Sequence, residues 1–167
     1  MTWLQPFHLT MMLLAAMLML WAAISDVRHF RIPNMLNGAL LALFPLFVLS
    51  SPQTMNWPQH VLVFTLVLVV GLYLFSSNLA GAGDVKFLAV LSLWAGPQTV
   101  VVLMMVTALG GGVLAVLVGL RHWMTCRKSG EKFMLGPVMR EPIPYGVAIA
   151  AGGMVSLGLL SRPLWLM

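Results

Sequence analysis

Two aspartates are the residues of this chain best suited to chemistry. Asp26 and Asp84 border long apolar stretches, whereas the only other acidic residues, Glu131 and Glu141, lie in the longest polar segment. Two neighbouring carboxyl groups cannot both ionise easily, so one keeps its proton where a free aspartate has lost it. The ionised group can then take a proton from water while the protonated group donates to a peptide carbonyl. Such a pair hydrolyses peptides without a metal or a covalent intermediate.

Each aspartate also has a purely structural interpretation. Asp26 shortly precedes Arg28 and Arg31, as an ordinary charge at a membrane surface does. Asp84 is close to Lys86 and belongs to a residue type that often caps helix N-termini. Both interpretations stay open, although capping does not exclude catalysis. An acidic side chain at membrane depth costs a few kcal/mol, which favours a functional role.

The segments beside the two aspartates contain turn-forming residues. Gly81 and Gly83 directly precede Asp84, and glycines permit close approach of another backbone. An extended substrate would fit against them, and a flexible helix–helix turn is the alternative interpretation. After the first aspartate, Pro33 ends the connecting segment and Asn34 is expected to cap the second helix.

No other residues have the spacing of a catalytic or metal site. The histidines are scattered, and a single cysteine excludes a disulfide framework or a Cys-rich zinc site. Ser25 and Ser92 lack a base at a fixed spacing. We therefore expect neither a metal nor a cofactor. The histidines and the cysteine are His8, His29, His60, His122 and Cys126.

The elements that position the aspartates are apolar helices. Of 167 residues, 60% are hydrophobic and 8% are charged, and the mean hydropathy is +0.97. Soluble domains carry roughly 25% charged residues, so this composition excludes a soluble domain. It also excludes a disordered protein, because disorder requires low hydrophobicity and high charge. We predict an all-α, polytopic membrane protein of about six transmembrane helices, forming a single domain over residues 1–167. The predicted stretches are 9–25, 35–50, 60–79, 84–95, 99–120 and 143–160, of which the fourth is short for a crossing.

The basic residues predict an orientation. Six alternating crossings place eight of the nine Lys and Arg residues on one side and leave only Arg162 on the other. The basic side is then cytoplasmic, with both termini on the outer side. Asp26 and Asp84 fall at the same cytoplasmic face, although this topology alone does not bring them together. The net charge of +5 therefore indicates contact with anionic lipid rather than nucleic-acid binding.

Three segments resemble motifs of the type IV prepilin peptidases. The segment from Asp26 to Asn34, with its Ile-Pro-Asn helix start, is similar to the first motif of that family. Gly81-Ala-Gly-Asp-Val-Lys86 resembles the second motif, Gly-x-Gly-Asp-x-Lys, and the segment from Pro144 to Gly152 resembles a C-terminal Pro-Tyr-Gly segment. The three matches occur in family order and span most of the chain.

The resemblance implies a membrane-embedded aspartic endopeptidase of the Gly-x-Gly-Asp class. Its substrates would be prepilins or pseudopilins, cleaved at the cytoplasmic face of the bacterial inner membrane. Asp26 and Asp84 match the two catalytic aspartates of the family, and Gly81 and Gly83 match the motif glycines, which we expect to contact substrate.

The resemblance is closest to the small tight-adherence (Flp) pilus type. Larger members have paired Cys-x-x-Cys motifs and methylate the new N-terminus, but this chain has one cysteine and starts directly at the first helix. N-methyltransferase activity, and S-adenosylmethionine as cosubstrate, are therefore not supported. Two other classes stay open: a small transporter or proton-relay subunit, and a non-catalytic subunit of a secretion or pilus machine. The sequence does not determine the oligomeric state or the particular pilin.

Overall fold

The computed structural model describes residues 4–51, 55–129 and 143–165, and it contains helices without strands in these ranges. The predicted all-α fold class is therefore confirmed. Most of the polar segment before the last helix, including Glu131 and Glu141, lies outside the described residues. The helices are α1 Leu4–His29, α2 Asn34–Ser50, α3 Trp57–Ser76, α4 Ala82–Ser129 and α5 Tyr145–Trp165.

The described residues form five helical elements rather than the predicted six, because two of the predicted helices join into one sharply broken element. The fourth and fifth predicted stretches belong to one helical element, α4, which is interrupted only at Gly96. Gly96 has φ +59° and ψ −171°, and Pro97 follows it directly. Positive φ is readily adopted by glycine, so the short polar segment that suggested a loop is a sharp break within α4.

The first half of α4, before Gly96, runs in the same direction as α5. Near the starts of the two helices, Gly83 and Gly146 both face the side chain of Ile32. Just after the break, the carbonyl of Thr99 accepts a hydrogen bond of 3.3 Å from the hydroxyl of Ser156, about three turns along α5.

The second half of α4 runs back along α5. Further along α4, Gly110 lies against Ala148 and Gly111 lies against Tyr145, which is the first residue of α5. The chain therefore reverses direction at Gly96, and the two halves of α4 are antiparallel. This reversal returns the chain to the end of the molecule where α4 began.

The dimensions and surface of the helices are those of an integral membrane protein. Three helical segments are long and apolar enough to cross a bilayer, namely Gln5–His29, Trp57–Ser76 and Ala82–Arg127, and two shorter apolar helices accompany them. The outer surface is rich in exposed large apolar side chains, and in α3 the only buried residue is His60. Such a surface suits lipid rather than water as the solvent.

The buried core is centred on the first half of α4. Residues 89–96 are all buried, and α4 packs against α2, α3 and α5. Trp94 packs against Phe44 and Phe47, with ring centroids 5.9 and 4.8 Å away, and its indole N–H donates to the carbonyl of Leu40 at 3.2 Å. Because α4 begins just before this anchored segment, its first turn has a defined position relative to α2.

Candidate active site

Asp26 lies in the last turn of α1 and is only 5% exposed. Its carboxylate oxygen Oδ2 accepts a hydrogen bond of 2.7 Å from the backbone N–H of Gly146, at the start of α5. A buried carboxyl group without a partner would be costly, and this contact satisfies one of its oxygens. The contact also ties the end of α1 to the start of α5.

The turn after Asp26 is held by two hydrogen bonds. The N–H of Phe30 donates to the carbonyl of Asp26 at 2.8 Å, and the hydroxyl of Ser25 donates to the carbonyl of Arg31 at 2.9 Å. Phe30 adopts φ +50°, a conformation that is uncommon for a residue with a side chain. This turn ends α1 and lets the chain enter α2 beside the same end of the bundle.

Asp84 is the third residue of α4 and is partly exposed. The first turn of α4 closes with a hydrogen bond of 3.0 Å from the N–H of Val85 to the carbonyl of Gly81. A Cβ atom on Gly81 would lie 2.9 Å from Oδ2 of Asp84, which is too close for an unstrained contact. Gly81 therefore leaves the space that the Asp84 carboxyl group occupies.

Gly83 has a different environment from Gly81. A Cβ atom at Gly83 would meet the nearest atom, on Ile32, at 3.9 Å, which is ordinary contact. Both glycines line a cavity beside Asp84. A backbone that contacts substrate must lie at such a cavity. Their predicted contact with substrate stays a prediction.

This cavity brings the two aspartates together. It has a volume of about 440 Å³, lies at the end of the bundle where α1 ends and α4 begins, and is open to the surface. Both carboxyl groups line this space, with Asp26 in the last turn of α1 and Asp84 in the first turn of α4. The lining residues are Asp26, Phe30, Arg31, Ile32, Asn34, Gly81, Ala82, Gly83, Asp84, Lys86 and Ile143.

Asn34 does not cap α2, so that prediction is wrong. Asn34 is itself the first helical residue, Pro33 occupies the cap position, and no side-chain cap hydrogen bond forms there. The Asn34 side-chain oxygen instead lies 3.4 Å from the ammonium of Lys86. This contact connects the start of α2 to the start of α4 across the cavity wall.

Gly146 contacts Asp26, and sequence reasoning missed this contact. The segment around it stood out only through its resemblance to a motif, and nothing in the spacing linked it to Asp26. A Cβ atom on Gly146 would lie 2.7 Å from Oδ2 and 2.9 Å from Cγ of Asp26. The absence of a side chain thus allows the helix start to approach the aspartate.

The other candidate residues are not part of this cavity. His8 and His60 lie towards the opposite end of the bundle, where His8 contacts Ser50 at 3.1 Å and His60 contacts the carbonyl of Leu93 at 2.8 Å. His29 and the buried Cys126 do not line the cavity. Among the described residues, no group of three or more His, Cys, Asp or Glu side chains is placed to hold a metal ion.

The comparison with protein families places the chain in one family. The type IV leader peptidase family matches residues 12–116, a range that includes Asp26 and Asp84. The chain belongs to the type IV leader peptidase family. Membership of this family indicates a protease that acts on peptide substrates, and within the family the class is aspartic. No curated protein and no solved structure matches the chain.

Proposed function

We propose that this leader peptidase family member cleaves the leader peptides of prepilins or pseudopilins, with Asp26 and Asp84 activating a water molecule. The observation that supports this most is the shared cavity: two carboxyl groups from distant parts of the chain line one open space at one end of the bundle. The family match covers both residues. If the two acids served only as a helix cap and a surface charge, nothing would require them to line the same cavity.

The chemistry follows from the like charges of the pair. The structure gives neither aspartate an ion pair with a basic side chain in the part of the chain that it describes. With no cation in contact, repulsion disfavours the doubly ionised state, so one proton is shared between the two carboxyl groups. One group then acts as general base towards water and the other as general acid towards the peptide carbonyl. No step in this mechanism requires a metal ion or a covalent enzyme intermediate.

The position of the cavity suits a substrate that emerges from a membrane. Asp26 and Asp84 lie at the ends of two apolar helices, at the level where a bilayer would give way to water. A prepilin has a short polar leader followed by an apolar helix, so its scissile bond would reach this level while its helix stays in lipid. Gly81 and Gly83 offer a backbone without side chains against which the extended leader would lie.

We further propose the bacterial inner membrane as the location, with the cavity facing the cytoplasm and both termini on the periplasmic side. The distribution of basic residues supports this orientation, because Arg31 and Lys86 line the cavity. We also propose that the described helices form a single peptidase domain.

The test is cleavage of a synthetic prepilin by the purified protein in detergent, without other components, followed by mass spectrometry of the products. Cleavage at one bond between leader and apolar helix supports the proposal. No cleavage by folded protein, together with aspartate-dependent proton or ion flux in liposomes, would instead establish a transporter. Neither activity, with a requirement for the chain in pilus assembly, would establish a non-catalytic subunit.

A further inference from the structure

The two aspartates share a cavity, but their surroundings differ. Asp26 is buried and accepts a hydrogen bond of 2.7 Å from the N–H of Gly146. Asp84 is partly exposed, and within the described ranges its carboxyl group has no hydrogen-bond partner. This asymmetry bears on which of the two groups holds the shared proton.

The donor to Asp26 belongs to the start of a helix. Gly146 is the second residue of α5, so its N–H is one of those that have no carbonyl partner within the helix. The helix start also has a partial positive charge. A hydrogen bond donated to a carboxylate is stronger than one donated to a neutral carboxyl group, and it favours the ionised form.

Asp84 also occupies the first turn of a helix, α4, so helix dipoles act on both aspartates. Burial opposes ionisation of Asp26, and the donated hydrogen bond opposes that effect; among the described residues, only Asp26 of the two receives such a hydrogen bond. Because repulsion permits only one carboxylate, the group with a fixed N–H donor is the one to ionise.

We propose, on the basis of the function proposed above, that Asp26 is the general base and Asp84 the general acid. Gly146 is a positioning residue: its N–H holds Asp26 ionised and fixes the direction of the carboxylate. The absence of a side chain at Gly146 is required for this, since a Cβ atom would lie 2.7 Å from the accepting oxygen.

Hydrolysis by this route returns both aspartates to their starting states. The Asp26 carboxylate takes a proton from water as the water oxygen bonds to the peptide carbonyl carbon, and Asp84 gives its proton to the carbonyl oxygen. The resulting gem-diol collapses: the carbon–nitrogen bond breaks, and the leaving nitrogen takes the proton from Asp26. One gem-diol hydroxyl returns its proton to Asp84. The net change is the addition of one water across the peptide bond.

Infrared spectroscopy of the carboxyl C=O stretch tests where the proton resides without relying on activity. In the wild-type protein at neutral pH we expect a band from one protonated carboxyl group. Asp84→Asn should lack that band, but the loss of mutual repulsion alone could cause this. The deciding comparison titrates each aspartate alone, Asp26 in Asp84→Asn and Asp84 in Asp26→Asn, and we expect the lower infrared midpoint for Asp26. A lower midpoint for Asp84, or a protonated-carboxyl band that persists in Asp84→Asn, would overturn the assignment, even if both aspartates proved essential for cleavage.

The role of Gly146 is tested in the Asp84→Asn background, where Asp26 titrates alone. Adding Gly146→Ala displaces the carboxylate from its donor, so we expect the infrared midpoint for ionisation of Asp26 to move up by about one pH unit or more. The matched control is Gly158→Ala on the same helix, where a Cβ atom meets nothing within 4 Å. An unchanged midpoint in folded Gly146→Ala would refute the positioning role. If Gly146→Ala fails to fold, the infrared midpoints of Asp26 in Asp84→Asn and of Asp84 in Asp26→Asn still decide the assignment.

Discussion

The backbone N–H of Gly146 donates a hydrogen bond of 2.7 Å to the carboxylate of Asp26, across 120 positions of sequence. The contact joins the end of α1 to the start of α5. On the other side of the same cavity, Asp84 begins α4 beside the loop that follows Asp26. The end of α1, the start of α4 and the start of α5 therefore define the site. A short segment that contains glycine or proline adjoins each of these helix ends.

Gly81 and Gly83 are expected to differ in their tolerance of a side chain. Gly81→Ala places a Cβ atom 2.9 Å from Oδ2 of Asp84, so the carboxyl group must move, and we expect the cleavage rate to fall by about 10- to 100-fold. Gly83→Ala meets only ordinary contact at 3.9 Å and serves as the matched variant. The measurement is the initial rate on a synthetic prepilin.

The comparison of Gly81→Ala with Gly83→Ala also separates two explanations for the two glycines before Asp84: space for the Asp84 carboxyl group, and close approach of the substrate backbone. If Gly83→Ala is as damaging as Gly81→Ala, close approach of the substrate backbone, rather than the position of Asp84, explains why the turn has two glycines. Equal activity of Gly81→Ala and the wild type would contradict the role assigned to Gly81.

Gly96 is expected to be essential for the stability of the bundle. Gly96→Ala forces a side chain into φ +59° and against the ring of His60, which packs directly over this glycine. Strained positive-φ residues cost about 1–3 kcal/mol, and the overlap adds to that. We expect a lowered unfolding midpoint in detergent. Gly112→Ala, in the same helical element with nothing within 4 Å, should be neutral or slightly stabilising.

A double variant separates the two contributions at Gly96. His60→Ala removes the overlapping ring together with its 2.8 Å hydrogen bond to Leu93, so Gly96→Ala should cost less free energy of unfolding in that background than in the wild type. Additive effects of the two substitutions would show that His60 does not constrain the break.

The reversal of the chain at Gly96 predicts opposite accessibility of two exposed positions. Ser77, in the turn before α4, should face the cytoplasm, and Gln98, just past the break, should face the periplasm. In a Cys126→Ser background, we expect Gln98→Cys to react with a membrane-impermeant maleimide on cells with a permeable outer membrane. Ser77→Cys should react only after the inner membrane is permeabilised. Labelling of both positions from one side would contradict a membrane crossing between them, and labelling of Ser77→Cys instead of Gln98→Cys on such cells would contradict the proposed orientation.

The parts of this molecule that were predictable from sequence are those set by local chemistry. Apolar composition predicted an all-α membrane protein, and the cost of placing Asp26 and Asp84 beside apolar helices singled them out. The number of helices was not predictable in this way. Gly96 and Pro97 are equally suited to a loop between two helices and to a break within one, and residue type alone does not distinguish them.

The contacts across the site were also beyond sequence reasoning. The Gly146 donor is a backbone N–H, which every residue except proline has, so the residue type does not predict the hydrogen bond. Its partner, Asp26, is 120 positions away in the sequence. Asn34 had the residue type of a helix cap, but its side chain lies beside Lys86 instead, because tertiary proximity outweighs a local preference. Such contacts depend on how the helix ends meet, which no local pattern encodes.

The most direct test of the two-aspartate account is the rate of prepilin cleavage by purified Asp26→Asn and Asp84→Asn. Asparagine keeps the size of the side chain but can neither accept a proton from water nor donate one as an acid. We expect each substitution to lower the rate by at least about 10²- to 10⁴-fold, with folding and insertion equal to those of Gly158→Ala. Near-normal cleavage by either asparagine variant would show that the pair of carboxyl groups is not the catalytic unit.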